Sequence, residues 1–158
     1  MANIDNPHGF VPYDHTGLSS APIHWYEFTD AASIAQGDAV IVDGGDPGYV
    51  KIALADSPLL LGVAATPATG GTAGKIAVYD SLDTIFEVQC SGDSAQALVN
   101  TQCDIEGTTG IMEANENASV EDVLSIVGLH PNDEVGTNGR ILVKIIRSES
   151  APIATAQT

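Results

Sequence analysis

The chain has 158 residues, 44% of them hydrophobic and 16% charged, with 21 acidic side chains against 5 basic ones and a formal charge of −16. Such a length fits one domain, and a domain of about 150 residues buries roughly 68–70% of its unfolded surface, so an ordinary core is available and disorder is excluded. The charge argues against nucleic acid and anionic lipid as partners, because an anionic surface repels both.

No apolar run approaches the roughly 18–20 residues of a membrane span, and Met1-Ala2-Asn3-Ile4-Asp5-Asn6-Pro7 lacks the basic and apolar regions of a signal peptide. Membrane partners are therefore not expected, and synthesis in the cytoplasm is. In residues 1–22, Asn, Pro, Gly, His and Ser mix without periodicity around isolated anchors at Ile4, Phe10, Val11 and Tyr13. Pro7 and Pro12 hold this backbone extended, so the segment reads as an arm lying on its own body or on a neighbour.

From Ile23 the chain turns into short β segments broken by Gly, Asp and Pro: 23–28, 39–43, 49–54, 59–65, 75–79 and 84–90. Gln36-Gly37-Asp38 and Gly44-Gly45-Asp46-Pro47-Gly48 are chain reversals, which predicts antiparallel hairpins. In 84–90, Phe86, Val88 and Cys90 share one face and Glu87 and Gln89 the other, the alternation of a half-buried strand. Residues 66–74 lack a hydrophobic period and read as an exposed hairpin tip.

One or two short helices are expected. Residues 94–100 form one candidate, capped by Asp93 or Ser94. Residues 119–127 form the other, although their β-branched content and the stop at Gly128 favour a strand. Residues 141–146 are apolar on both faces except at Lys144, which places them mid-structure or beneath another subunit. The body thus spans 23–147, and the tail 148–158 is expected to be weakly ordered.

Chemistry is sparse. Cys90 and Cys103 match neither a CxxC pair nor a zinc knuckle, and two buried thiols are expected over a disulfide. His8, His15 and His24 lie in the irregular opening without HExxH, HxH or facial-triad spacing, so they read as surface or interface residues. His130, beside Pro131, Asp133 and Glu134, reads as a loop-capping histidine. No serine sits in GxSxG. Gly74-Lys75 is not followed by Ser or Thr, and it leads into a strand, so it is no phosphate loop. Asp43, Asp46, Asp80, Asp83 and Asp104 lie at turns, where aspartate closes its own turn; EF-hand spacing is absent. No catalytic residue, cofactor or metal ligand is assigned.

Several stretches, in order and across nearly the whole chain, resemble a family of small tailed-bacteriophage head proteins that act as cement or decoration proteins. They are Met1-Ala2-Asn3 with Pro7 and Gly9-Phe10-Val11-Pro12, then Ile34-Ala35-Gln36-Gly37-Asp38-Ala39-Val40 and Leu61-Gly62-Val63-Ala64-Ala65. Val78-Tyr79-Asp80-Ser81-Leu82-Asp83-Thr84-Ile85-Phe86-Glu87-Val88-Gln89 follows, then Ile126-Val127-Gly128-Leu129 and Asn132-Asp133-Glu134-Val135-Gly136. Gly139-Arg140 departs from that pattern and leaves the start of the last strand open.

Together the pattern and the resemblance imply an all-β domain, an antiparallel β-barrel, β-tulip-like or sandwich body with an extended N-terminal arm. The resemblance implies a non-enzymatic protein on the outer capsid surface of a virion made in a bacterial host. There it would clamp neighbouring major capsid protein subunits, often as a homotrimer at three-fold positions. Ile4, Phe10, Val11 and Tyr13 are then the expected anchors of the arm on a neighbour, with Trp25 and Tyr26 at the interface or nearby core. Two other classes compete. A glycan-binding head-fibre or adhesin domain would expose clustered aromatics with polar partners, in a chain that is only 5% aromatic. A hydrolase would bring His15, His24 or His130 together with acids in a pocket.

Overall fold

A computed structural model describes residues 2–15 and 20–146. Its strands in chain order are β1 (Val11–His15), β2 (His24–Phe28), β3 (Ala39–Val42), β4 (Tyr49–Ile52), β5 (Gly62–Ala64), β6 (Gly74–Tyr79), β7 (Thr84–Gln89), β8 (Asp93–Ser94), β9 (Gln102–Glu106), β10 (Glu113–Asn115), β11 (Leu124–Leu129), β12 (Gly136–Thr137) and β13 (Arg140–Ile145). The only helical element among the described residues is a single 3-10 turn, Gln96–Leu98. The domain is all-β, as the alternation and turn chemistry predict.

The strands build two curved layers. In the first, β2, β4, β3, β5 and β6 close into a barrel. Antiparallel pairing alone cannot close a ring of five strands, since directions cannot alternate around an odd number. The mismatch falls between β2 and β4, which run parallel with Glu27 opposite Tyr49 and Phe28 opposite Val50. This corrects the expectation of hairpins throughout. The barrel interior is filled by Phe28, Ile34, Val40, Val50, Leu61, Ala64, Ile76 and Val78.

The second layer is a six-stranded sheet in the order β1-β7-β13-β11-β9-β10. It rolls on itself, because Cys90, one residue past β7, makes a parallel bridge to Ala114 of β10. One apolar cluster lies inside this roll and extends to the outer face of the barrel. It joins Phe86, Val88, Leu124, Ile126, Ile141 and Val143 to Ala39, Ile41, Leu60 and Val63. Strand β3 serves both cores, since successive side chains point to opposite faces: Val40 into the barrel, Ala39 and Ile41 towards the sheet. Phe86 is the aromatic hub, with Phe10 and Tyr79 edge-on at 6.4 and 6.3 Å.

Strand β13 lies between β7 and β11, the central position that its composition predicts, with Ile141, Val143 and Ile145 buried. It begins at Arg140, which fixes the start left open by Gly139-Arg140. The helix-or-strand ambiguity of 119–127 resolves as strand β11. Gly128 lies inside that strand rather than ending it, at a register shift between Ile126 and Gly128 opposite Val143 and Leu142. Asp93 and Ser94 form β8 instead of capping a helix. The 3-10 turn starts from Ala95 with no side-chain cap.

The N-terminal segment departs most from the sequence reading. A boundary at residue 22 does not separate an arm from a body, because β1 is the outer strand of the six-stranded sheet, paired with β7 from Val11 opposite Glu87 to His15 opposite Thr84. Upstream, the backbone threads between two loops: Gly9 donates to the Met112 carbonyl at 3.2 Å and Phe10 to the Gly37 carbonyl at 2.8 Å. Gly9 and Gly37 both have positive φ, and a Cβ on Gly9 would lie 2.4 Å from the Gly37 oxygen, so the crossing needs glycine. Residue 1 and the segment 16–19 fall outside the described residues, as does the expected weakly ordered tail, 148–158.

Candidate interaction surface and its buried polar supports

The N-terminal segment is strapped to the sheet at successive points. Asn3 donates through Nδ2 to the carbonyls of Glu134 (2.7 Å) and Thr137 (3.1 Å) and accepts from the Glu134 N–H at 3.0 Å. The Asn6 N–H donates to Gln89 Oε1 at 2.9 Å, while Gln89 Nε2 donates to Asp5 and Glu113. Gln89 therefore sits buried on the nominally polar face of β7 with both amide N–H groups and its oxygen engaged. Burial holds the Glu113 carboxyl above its usual range, opposed by the Gln89 amide.

Against this frame the six expected interface residues separate. Phe10 is 2% exposed and belongs to the central apolar cluster, so it anchors the segment on its own body and is withdrawn from any neighbour. Tyr26 is half-buried against the barrel core and donates its hydroxyl to Asp80. Val11 is half-buried in β1. Ile4, Tyr13 and Trp25 do reach the surface, at 80%, 45% and 61% exposure. Ile23 and Val135 are further exposed aliphatics that the sequence reading passed over. Val135 lies in the stretch between Glu134 and Thr137, whose carbonyls hold Asn3. Isolated apolar residues in a turn carry no periodic signal, so periodicity does not mark them.

Beneath Tyr13 lies a polar network. Its ring stands edge-on to His130 at 5.7 Å. His130 is 6% exposed, and its Nε2 lies 2.8 Å from Glu87 Oε2. Its Nδ1 accepts the Asn132 N–H at 3.3 Å, so in the neutral ring the proton sits on Nε2 and points at Glu87. Arg140 grips Asp133 with two side-chain N–H groups, Nε to Oδ2 at 2.9 Å and Nη2 to Oδ1 at 2.7 Å, and touches Glu87 Oε1 at 3.3 Å. The Arg140 guanidinium holds the Asp133 carboxyl below the usual carboxylate range.

His130 thus converges with two acids, as the hydrolase reading requires of a histidine. Yet both ring nitrogens are engaged, and the adjoining hollow is lined by no Ser, Thr or Cys. The network ties the 130–133 turn to β7 and β13, which makes His130 the loop-capping residue that its sequence position suggests. The other histidines lie apart from it in their bonding. His24 pairs with Asp80 at 2.7 Å with its side chain 67% exposed, and His8 Nδ1 donates to the Asn6 carbonyl. His15 pairs through its backbone at the end of β1.

Of the turn aspartates, Asp43, Asp80 and Asp104 are committed to the protein through their side chains. Asp104 accepts the backbone N–H groups of Val120, Glu121 and Asp122 at 2.8–3.0 Å, so a loop occupies the oxygens a cation would need. Asp43 accepts from Gly45 and pairs with Lys51. Asp38 is fully buried and joins the layers, accepting from Ala35 in the barrel turn and Gly110 across from it; burial raises its pKa. Cys90 and Cys103 are buried free thiols, each pushed up to about 12 by burial. Among the described residues no group of three or more His, Cys, Asp or Glu side chains is arranged to hold a metal, and no helix is long and apolar enough to cross a membrane. No protein-family model matches the chain, and the comparison with curated proteins gives no match.

Proposed function

We propose that this chain is a structural virion protein that binds the outer surface of an icosahedral tailed-phage capsid and cements neighbouring major capsid protein subunits. The observation that carries this reading is the contrast between the polar network around His130, which is engaged within the protein, and large apolar side chains left exposed on the surface. The buried His130, the half-buried Arg140 and the carboxylates beside them are used in holding the 130–133 turn to its strands. Ile4, Tyr13 and Trp25 meanwhile stand exposed on segments fixed by sheet pairing or side-chain straps.

Rigid presentation suits docking, because little ordering entropy remains to be lost on binding. The charge of −16 suits a surface facing solvent and opposes contact with packaged nucleic acid. Modest contacts repeated by shell symmetry would add up to stable retention, and a homotrimer at three-fold positions is the arrangement that the family resemblance suggests. The resemblance also supports a non-enzymatic role and assembly in a bacterial host.

Point substitutions test this better than removal of residues 1–14, which would take Phe10 from the core and β1 from the sheet. Ile4→Asp and Trp25→Asp change exposed side chains and should leave the melting temperature near that of the parent. Together they should abolish rebinding of the purified chain to particles stripped of it. Undiminished rebinding by the double variant would remove these side chains from the contact. Absence of rebinding by the parent chain would overturn the proposal.

A further inference from the structure

Two hollows of opposite character adjoin along the N-terminal segment, with His8 lining both. The larger, about 350 Å³, has Gln89, Asp133 and Arg140 in its wall. Its charges are already matched, since both Asp133 oxygens face Arg140 donors. The side-chain amides of Asn6, Asn132 and Asn138 also line it and make no hydrogen bond to any described residue. His8 donates through Nδ1 to the Asn6 carbonyl at 2.7 Å, so in the neutral ring Nε2 is the acceptor. This is a neutral site of uncommitted donors and acceptors in a strongly acidic protein. The smaller hollow, about 220 Å³, is bounded by Phe10, Val11, Pro12, Ala64 and Tyr79 and is largely hydrocarbon.

We infer that these two hollows together receive one extended peptide segment of the coat subunit, seating an amide or hydroxyl side chain in the larger and an aliphatic side chain in the smaller, astride His8. This rests on the shell-binding reading above and names the contact. On an extended chain, residues two apart emerge on the same face about 7 Å from each other, so one short segment can fill adjacent hollows of unlike polarity. A sugar is the weaker fit. The amide-lined hollow offers no phenylalanine, tyrosine or tryptophan ring, and in the other Phe10 is buried and Tyr79 packs against Phe86. Neither lining has an unpaired carboxylate, while the chain's overall charge repels an acidic segment; the occupant is neutral or basic.

Gln36 and Asn132 are exposed side chains, one at each hollow, so Gln36→Trp and Asn132→Trp fill the space without touching the core. Each should lower retention on stripped particles by about tenfold or more, roughly 1.4 kcal/mol, at an unchanged melting temperature. A photo-crosslinking amino acid placed at either position should label the same continuous stretch of coat protein. Parent-like retention by both tryptophan variants, or crosslinks to separate coat segments or to glycan alone, overturns this inference and leaves the shell reading standing. Failure of the parent chain to bind stripped particles overturns both.

Discussion

The barrel of β2 to β6 and the rolled sheet around β13 are similar in strand content but differ in what fills them. The barrel encloses a hydrocarbon cluster and carries two ion pairs on its outside, Lys51 with Asp43, partly exposed, and Lys75 with Glu27, with both side chains more than half exposed. The rolled sheet adds a second order of structure to its apolar core: Gln89, Asp104, His130, Asp133 and Arg140 fasten loops that have no hydrophobic period of their own. A closed ring of strands satisfies its backbone by closure. A sheet closed by a single bridge between Cys90 and Ala114 relies on side-chain hydrogen bonds to hold the connections around it.

The largest expected effect lies where the two layers meet. Phe86→Ala removes the ring that packs against both Phe10 and Tyr79 and should lower stability by about 3–5 kcal/mol, read as a fall in the denaturant midpoint. Next, Arg140→Met leaves Asp133 and Glu87 without their cation in a half-buried site and should lose about 1–3 kcal/mol. Lys75→Met, breaking the exposed barrel pair, should lose no more than about 1 kcal/mol. Equal losses from these two variants would erase the distinction between the regions.

A smaller effect appears only with pH. The Asp133 pKa is lowered in the folded protein, so its contribution is fully present above the unfolded value of about 3.9 and is lost as pH falls through the lower folded value. The stability difference between the parent and Asp133→Asn should be constant near neutrality and shrink below about pH 4, as followed by thermal melts across that range. A difference that grows on acidification contradicts the assignment. Least perturbing is a labelling experiment on the sheet core: with thiol pKa values of about 12 and full burial, Cys90 and Cys103 should resist alkylation at pH 8 until the protein is unfolded. Rapid labelling of the native protein would show the roll to be open.

Legibility in the sequence follows the same divide. Strands β2 to β7 stand out because apolar residues recur between glycine, proline and aspartate turns, and the barrel needs little else. Strand β9 was missed although Cys103 and Ile105 alternate with Gln102 and Asp104. Asp104 is buried because residues 120–122 bring three N–H groups to its carboxylate, a long-range match that periodicity cannot show. Strand β10 offers only Ala114 between Glu113 and Asn115. Strand β1 contains Pro12 and reads as an arm, because its pairing partner and the glycine crossing at Gly9 and Gly37 are distant in sequence.

Of the candidate contact surface, Ile4 and Tyr13 read as anchors in the sequence and do reach the surface, while Trp25, which the sequence leaves between interface and core, is exposed. Phe10 was misassigned outward, since an isolated aromatic in an irregular stretch carries no information about which surface it meets. The two hollows beside His8 are not visible in the sequence, as each joins the N-terminal segment to residues distant in the chain: Gln89 and 132–140 for the larger, Gln36, Ala64 and Tyr79 for the smaller.

Quantitative mass spectrometry of particles purified from the source of this chain tests the central claim most directly, by comparing copies of the chain with copies of the major coat protein. The account predicts a ratio near one, or a simple fraction set by lattice symmetry. A handful of copies per particle, or none, would contradict it.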